Sequence, residues 1–408
     1  MTAVRPADQL RGEIQVPSDK SIGHRALMAA AIADGPSEVS LHLPGADLES
    51  TRRCVAALRA GGVLDCGNSG TSMRLLTGLL AGQGLDGTLD GDDSLRRRPM
   101  ERIAAPLRAM GARVDPTDGH APIRVSGAPL HAAEHRLSVA SAQVLGAICL
   151  AALGAEGETR IEVPGPTRDH TERLLAWLDV PIRRDGRVTT VSGPARPRAF
   201  SLAVPGDPSS AAAWIVAATL HPDAELRLTD VCLNPTRLGF VDVLRRMGAE
   251  IDVEGGHADG PEPVGDLVVR SARRLTAVSV SGDEVANLID ELPLLGVAMA
   301  AADGVSELRD AGELRVKESD RIAAVVAGLS GIGATVDELP DGWRVSRGAP
   351  RDAAISTYGD HRIAMAFAVA ALSGVAGEVR IDDAECASVS YPSFWDDMRS
   401  ISAAGVAA

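Results

Sequence analysis

Aromatic residues are scarce: Phe, Tyr and Trp together make up 2% of the 408 residues. A large core must then be built from Ala, Val, Leu and Ile, and helices with such small side chains must approach one another closely. Cysteine offers no framework either. The five residues Cys54, Cys66, Cys149, Cys232 and Cys386 are odd in number, scattered and without a CxxC pair, so they read as reduced thiols and not as a disulfide frame or zinc site. No apolar run approaches the roughly 18–20 residues that span a bilayer. The opening MTAVRPADQLRGE has no apolar signal core, so a cytoplasmic location is expected. Excess positive charge is also missing: Lys+Arg is 41 against Asp+Glu 55, a net charge of −14. That argues against a non-specific partner for nucleic acid or anionic membrane, yet leaves room for a small anionic substrate if basic side chains gather in one cleft. What is present suits a folded chain: 45% hydrophobic and 24% charged residues, in a length that fits two or three domains or one large pseudo-symmetric body.

Two kinds of segment recur. One is a helix ending in a small-residue turn, followed by a strand, a polar turn and a second strand. It stands at 107–127, 174–193, 244–271 and 329–348, and Gly111, Gly248 and Gly333 occupy helix ends where a left-handed residue is needed. The other is an Ala-rich helix, apolar nearly all round, entered at Lys20, Asn68, Ser141, Ser209, Asp290 and His361. A helix without a polar face must be buried on every side. The intervals between entries are 48, 73, 68, 81 and 71 residues, so the first copy is short. The chain passes there from VAALRAGG straight to VLDCGNSG, and the strand–turn–strand piece is missing.

Each buried helix follows a short polar or glycine-containing segment: PSDKS, CGNSGTS, VASAQ, PGDPSS, NLIDE and YGDHR. Helix N-termini carry partial positive charge and unpaired N–H groups, which suits phosphate. Basic residues fall at the same places: Lys20 and Arg25, the triplet Arg96–Arg98, Arg168 after a Pro-Gly-Pro turn, Lys317 and Arg321 around Glu318, and His361-Arg362. Taken singly, each has a plainer reading. The arginine triplet would be a solvated run, GNSGTS an N-cap turn, His361 a capping histidine, DELP a helix cap and RVKESDR a salt-bridged exposed helix. GNSGTS lacks the lysine of a nucleotide P-loop. The case for function rests on their shared position in the repeat.

The motifs resemble those of the 3-phosphoshikimate 1-carboxyvinyltransferase family of enolpyruvyl transferases. They run in order along nearly the whole chain: VPSDKSIGHRALMAAAIADG (16–35), LDCGNSGTSMRLLTGLLAG (64–82), GDDSLRRRPMERIAAPLRAMGA (91–112), SAQVLGAICLAAL (141–153), TRDHTERLL (167–175), VPGDPSSAAAW (204–214), NPTRLG (234–239), ELRVKESDR (313–321) and GDHRIAMAFAVAAL (359–372). The resemblance implies an α/β fold of two similar domains, each of three βαβαββ units with buried parallel helices. The upper domain would be 14–218 and the lower 1–13 plus 219–408, with two chain crossings and a site in the cleft between them. It further implies transfer of the enolpyruvyl group of phosphoenolpyruvate (PEP) to the 5-hydroxyl of shikimate 3-phosphate, with no cofactor and no metal, by a monomer.

Carried over residue by residue, the resemblance assigns Lys20, Ser21, Arg25, Ser141, Ala142, Gln143, Arg168, Asp290 and Lys317 to shikimate 3-phosphate. It assigns Lys20, Asn68, Gly70, Arg98, Gln143, Arg321, His361 and Arg362 to PEP. Lys20, Asp290 and Glu318 would carry the proton transfers, and the division of acid and base among them stays open. At Gly70 the resemblance further implies sensitivity to the PEP-mimicking inhibitor glyphosate, which in this family occupies the space a side chain there would obstruct.

Three departures stand out. Val389 occupies a position where many members have lysine, Leu145 replaces the lysine of SAQVK, and the first repeat is short. The competing readings are a non-catalytic relative that binds shikimate 3-phosphate, enolpyruvyl transfer to UDP-N-acetylglucosamine, and an RNA 3′-phosphate cyclase. The second is opposed by Ser21 after Lys20 and by the lack of cysteine in GDDSLRRRP, the third by the acidic surface.

Overall fold

A computed structural model describes residues 1–402 and 406–407. The chain divides into two compact units, one of Met1–Pro17, Pro205–His257 and Pro263–Ala408, the other of Ser18–Val204 and Ala258–Glu262. We call them the lower and upper unit.

One sheet pattern recurs in both. A central strand lies parallel to one neighbour and antiparallel to an incoming hairpin. In the upper unit, Gly87–Asp90 runs parallel to Val63–Asp65 and antiparallel to His120–Ser126, which pairs with Arg113–Thr117. Ala155–Glu162 repeats this with Glu134–Arg136 on one side and Val188–Gly193 then Ile182–Asp185 on the other. In the lower unit, Ala224–Cys232 does so with Leu10–Ile14 and the hairpin Glu250–His257/Val264–Arg270. Val305–Leu308 does so with Ser279–Val280 and Gly342–Ser346/Thr335–Leu339. Val379–Ile381 pairs parallel with Ala353–Ile355 and antiparallel with Thr2–Val4, so the first strand of the chain closes the last copy. Among the described residues, the remaining copy has only Glu38–Ser40 parallel to Ser201–Ala203. Helix Ala46–Ala56 leads directly to Val63–Asp65, which is where the sequence lacks its strand–turn–strand.

The pairing explains where the units divide. Leu10–Ile14 precedes the first upper helix yet belongs to a lower sheet, and Ser201–Ala203 precedes a lower helix yet belongs to the upper unit. The division therefore falls at 17/18 and 204/205, not at 13/14 and 218/219, and helix Pro208–Leu220 lies wholly in the lower unit. Ala258–Glu262, between two lower-unit strands, adds a further excursion to the two crossings expected.

The six Ala-rich helices are Lys20–Ile32, Gly70–Gly82, Ala142–Ala152, Pro208–Leu220, Leu292–Ala301 and His361–Leu372. His361–Leu372 is buried along its whole length, as the absence of a polar face requires. Lys20–Ile32 departs from that expectation: Leu27, Ala30 and Ala31 are only partly buried, in the copy whose sheet has two strands. Gly111, Gly248 and Gly333 all have positive φ, at +95°, +111° and +102°, just past helix ends.

The two cores pack by different means. In the upper unit a Cβ on Gly78 would stand 2.1 Å from the Ala147 carbonyl oxygen, and one on Gly82 would stand 2.4 Å from that of Leu150. Helices Gly70–Gly82 and Ala142–Ala152 thus touch backbone to backbone, the close approach expected of an aromatic-poor core. The lower unit fills the same kind of space with rings. Phe367 sits on Gly328, where a Cβ would be 2.0 Å from Cζ, and Trp214 stacks on Phe394 at 5.0 Å while donating to the Tyr391 hydroxyl at 2.7 Å.

Candidate active site

The residues singled out by sequence gather at helix starts, separately within each unit. In the upper unit, helix Lys20–Ile32 is capped by Asp19, which accepts from Ile22 N at 2.9 Å. Lys20 Nζ stands 3.2 Å from Asp47, and despite burial this ammonium holds the Asp47 carboxyl below the usual carboxylate range. One turn on, Arg25 is buried and donates to Thr171 Oγ1 at 2.7 Å, the Ser21 carbonyl at 2.9 Å and the Ala142 carbonyl at 3.4 Å. These three acceptors are neutral. Burial pulls Arg25 down to about 10; Glu172, Asp19 and Glu262 oppose that pull and Arg168 adds to it. Arg25 therefore ties Ser21, Ala142 and the helix His170–Trp177 together, and Arg168 stands two residues before that helix.

Helix Ala142–Ala152 is capped by Ser141, whose Oγ accepts from Val144 N at 3.4 Å. Gln143 bridges to the neighbouring helix: its amide donates to Thr71 Oγ1 at 2.9 Å and its carbonyl accepts from Arg74. Arg74 is buried, and a Cβ on Gly70 would meet Arg74 Nη1 at 3.1 Å and Arg98 Nη1 at 3.2 Å. Asn68 accepts from Arg98 at 2.8 Å and donates to Asp92 at 2.7 Å. The start of helix Gly70–Gly82, capped by Ser69, is thus flanked by two guanidiniums. The arginine triplet divides by partner: Arg96 is half exposed and paired with Asp90, while Arg98 turns to Asn68.

In the lower unit, Asp360 organises the cluster. It caps helix His361–Leu372 by accepting from Arg362 N at 2.9 Å, and it receives Arg321 Nε at 2.7 Å and Ser319 Oγ at 3.0 Å. Arg321, 1% exposed, also donates to Glu318 at 2.6 Å and lies 3.7 Å from Asp290. Burial alone would lower this guanidinium, but Asp360, then Glu318 and Asp290, raise it, and Arg321 in turn holds Asp360 low despite burial. Arg362 Nη1 donates to the Asp290 backbone carbonyl at 2.8 Å, and its other nitrogen is 3.8 Å from the Asp290 carboxylate. His361 is buried beside them. Lys317 pairs instead with Glu313 at 3.2 Å, because the chain breaks from a 3-10 turn (Gly312–Val316) before helix Arg321–Gly331 begins. The exposed-helix reading of RVKESDR fails for that reason. Of the departures, Leu145 is 1% exposed and packs in the upper core, and Val389 ends the 3-10 segment Glu385–Val389.

Asp47, Arg74, Thr171 and Asp360 hold or adjoin these residues and lie outside the assignments that the motifs imply. Two of them left a signal: Arg74 stands one helical turn beyond Gly70, and Asp360 immediately precedes His361 in GDHR.

The family model for EPSP synthase (3-phosphoshikimate 1-carboxyvinyltransferase) matches residues 4–62 and 59–398, in two pieces that meet where the first copy is short. The 3-phosphoshikimate 1-carboxyvinyltransferase of Roseiflexus castenholzii is 50% identical over 96% of this chain and 97% of its own. That of Gloeobacter violaceus is 47% identical over 97% and 98%. Among solved structures, EPSP synthase from Acinetobacter baumannii superposes with a TM-score of 0.89 at 36% identity, covering 98% of both chains. The enolpyruvyl transferase NikO from Streptomyces tendae shares the fold, with a TM-score of 0.75 at 17% identity. The chain belongs to the EPSP synthase (3-phosphoshikimate 1-carboxyvinyltransferase) family.

Proposed function

We propose that this chain transfers the enolpyruvyl group of PEP to the 5-hydroxyl of shikimate 3-phosphate, releasing phosphate, as a monomeric cytoplasmic enzyme of aromatic amino-acid biosynthesis. Family membership supports the reaction. The observation that carries the site assignment is Arg25, a buried guanidinium on neutral acceptors that joins Ser21, Ala142 and the start of helix His170–Trp177, which Arg168 precedes by two residues. A phosphate dianion is what such a corner lacks, and guanidiniums grip it bidentately. Ser21, Arg25, Ser141, Ala142, Gln143 and Arg168 form this phosphate corner, and Lys20, Asp290 and Lys317 meet the rest of shikimate 3-phosphate. PEP takes Lys20, Asn68, Gly70, Arg98, Gln143, Arg321, His361 and Arg362, with Arg74 added because it stands beside Gly70 and Gln143. No metal or cofactor enters this reading.

The 5-hydroxyl oxygen adds to C2 of PEP as C3 takes a proton; the tetrahedral ketal then breaks its C2–O bond to phosphate while the C3 methyl group returns a proton to the group that supplied it, which restores the C2–C3 double bond, and phosphate leaves with the proton the hydroxyl lost. Asp290 takes the hydroxyl proton, and Glu318 with Lys20 delivers the proton to C3. Glu318 accepts from Arg321, and a guanidinium partner favours a carboxylate over its protonated form. PEP drawing on Arg321 would loosen that bond and free Glu318 to carry a proton.

Phosphate release in the presence of shikimate 3-phosphate and PEP tests the reading, with Lys20→Met and Asp290→Ala expected to abolish it. No release by the wild-type chain would leave the non-catalytic binder, and release with UDP-N-acetylglucosamine would favour the sister reaction. Glyphosate should compete with PEP, and Gly70→Ala should weaken that inhibition because the new methyl group must displace Arg74 or Arg98.

A further inference from the structure

The segment Ala258–Glu262 leaves a lower-unit hairpin and belongs to the upper unit, and its last residue is buried there. Glu262 Oε1 lies 2.7 Å from His170 Nδ1 and Oε2 lies 3.8 Å from Arg173 Nε, with the Glu262 and His170 side chains 2% and 1% exposed. Both partners belong to the first turn of helix His170–Trp177. Arg173 also reaches back to Asp169 at 2.8 Å, and Thr171, between the two partners, accepts from Arg25. One carboxylate from 92 residues away therefore pins the helical turn that begins two residues after Arg168 and whose Thr171 anchors Arg25. Desolvating a carboxylate is costly unless it is paired. Asp169 already serves Arg173 locally, so helix formation alone does not call for Glu262.

We propose that Glu262 is a positioning residue for the phosphate corner, holding the His170 turn so that Arg168 and the Thr171–Arg25 pair are set before the anion arrives. This rests on the reading of Arg25 and Arg168 as the grip on shikimate 3-phosphate. Preset geometry of this kind acts on the substrate that uses it. Glu262→Ala should raise KM for shikimate 3-phosphate about tenfold while kcat and KM for PEP stay within about twofold. Glu262→Gln, which can still accept from His170, should restore KM to within about threefold of wild type. Equal loss toward both substrates, a fall confined to kcat, or no change in KM for shikimate 3-phosphate would overturn the proposal. Should Glu262→Ala not fold, Glu262→Asp decides: it withdraws the carboxylate by one methylene and should raise KM for shikimate 3-phosphate alone, and an unchanged KM overturns the proposal. Wild-type chain that releases no phosphate would sink the functional reading itself, whereas active wild type with unchanged variants would sink only the role of Glu262.

Discussion

The two units solve the same problem with opposite materials. The upper one lets helices Gly70–Gly82 and Ala142–Ala152 touch through glycine, and the lower one wedges Phe367 and the Trp214 cluster between its elements. Their buried arginines differ in the same spirit. Arg25 in the upper unit is held by a hydroxyl and two backbone carbonyls and is pulled down by burial, whereas Arg321 in the lower unit is surrounded by Asp360, Glu318 and Asp290 and is raised. Identical side chains at similar burial thus have opposite electrostatic characters. An arginine on neutral acceptors keeps its charge available for an incoming anion; one already neutralised by carboxylates serves first to order its surroundings.

The sharpest way to break this contrast is to remove each guanidinium. Arg321→Gln leaves Asp360 buried without its partner and should cost about 3–5 kcal/mol in denaturant unfolding. Arg25→Gln should cost about 1 kcal/mol, and it should abolish the stabilisation that shikimate 3-phosphate confers on the wild type, which reaches about 2.7 kcal/mol at a hundredfold excess over Kd. Equal losses from the two variants would erase the distinction.

Packing offers the next test. A methyl group on Gly78 has nowhere to go but into the Ala147 carbonyl, so Gly78→Ala should cost about 3 kcal/mol, at the upper end of overpacking. Gly312, whose added Cβ would meet nothing closer than Asp341 Cβ at 3.9 Å, should tolerate alanine within about 0.5 kcal/mol. Thermal melts of both variants by far-UV circular dichroism compare them directly.

Acid should separate the units more gently. His24 in the upper unit is buried, with Nδ1 2.7 Å from Thr51 Oγ1 and no hydrogen-bond partner for Nε2 among the described residues. Burial lowers it to about 3 from 6.5. The unfolded chain therefore takes up this proton first: the stability is complete above about pH 6.5 and falls as pH drops toward 3. The slope is at most about 1.4 kcal/mol per pH unit. Asp360 in the lower unit, held low by Arg321, loses its contribution only in stronger acid. Unfolding between pH 7 and pH 5 should show the slope in the wild type and a flatter one in His24→Gln; parallel curves would assign the loss to other groups.

Much of this was legible in the residues because it is periodic or local. Apolar runs without a polar face marked the buried helices, glycine past a helix end marked left-handed turns, and an interval of 48 residues where the others are 68–81 exposed the truncated copy. Arg25 was found through its motif, but Thr171 as its acceptor was not, since the two are 146 residues apart. Glu262 left no trace at all: it reaches His170 across 92 residues from a hairpin that otherwise belongs to another sheet.

By itself the order of residues determined the helix type, the repeat, its truncation and the family, since each depends on spacing along the chain. Only the tertiary structure decided which strands change units, which oxygens hold each arginine and hence which guanidinium is pulled down by burial and which is raised by carboxylates. Those outcomes depend on distances of a few ångströms between segments far apart in sequence, where burial and pairing compete and no local pattern records which prevails.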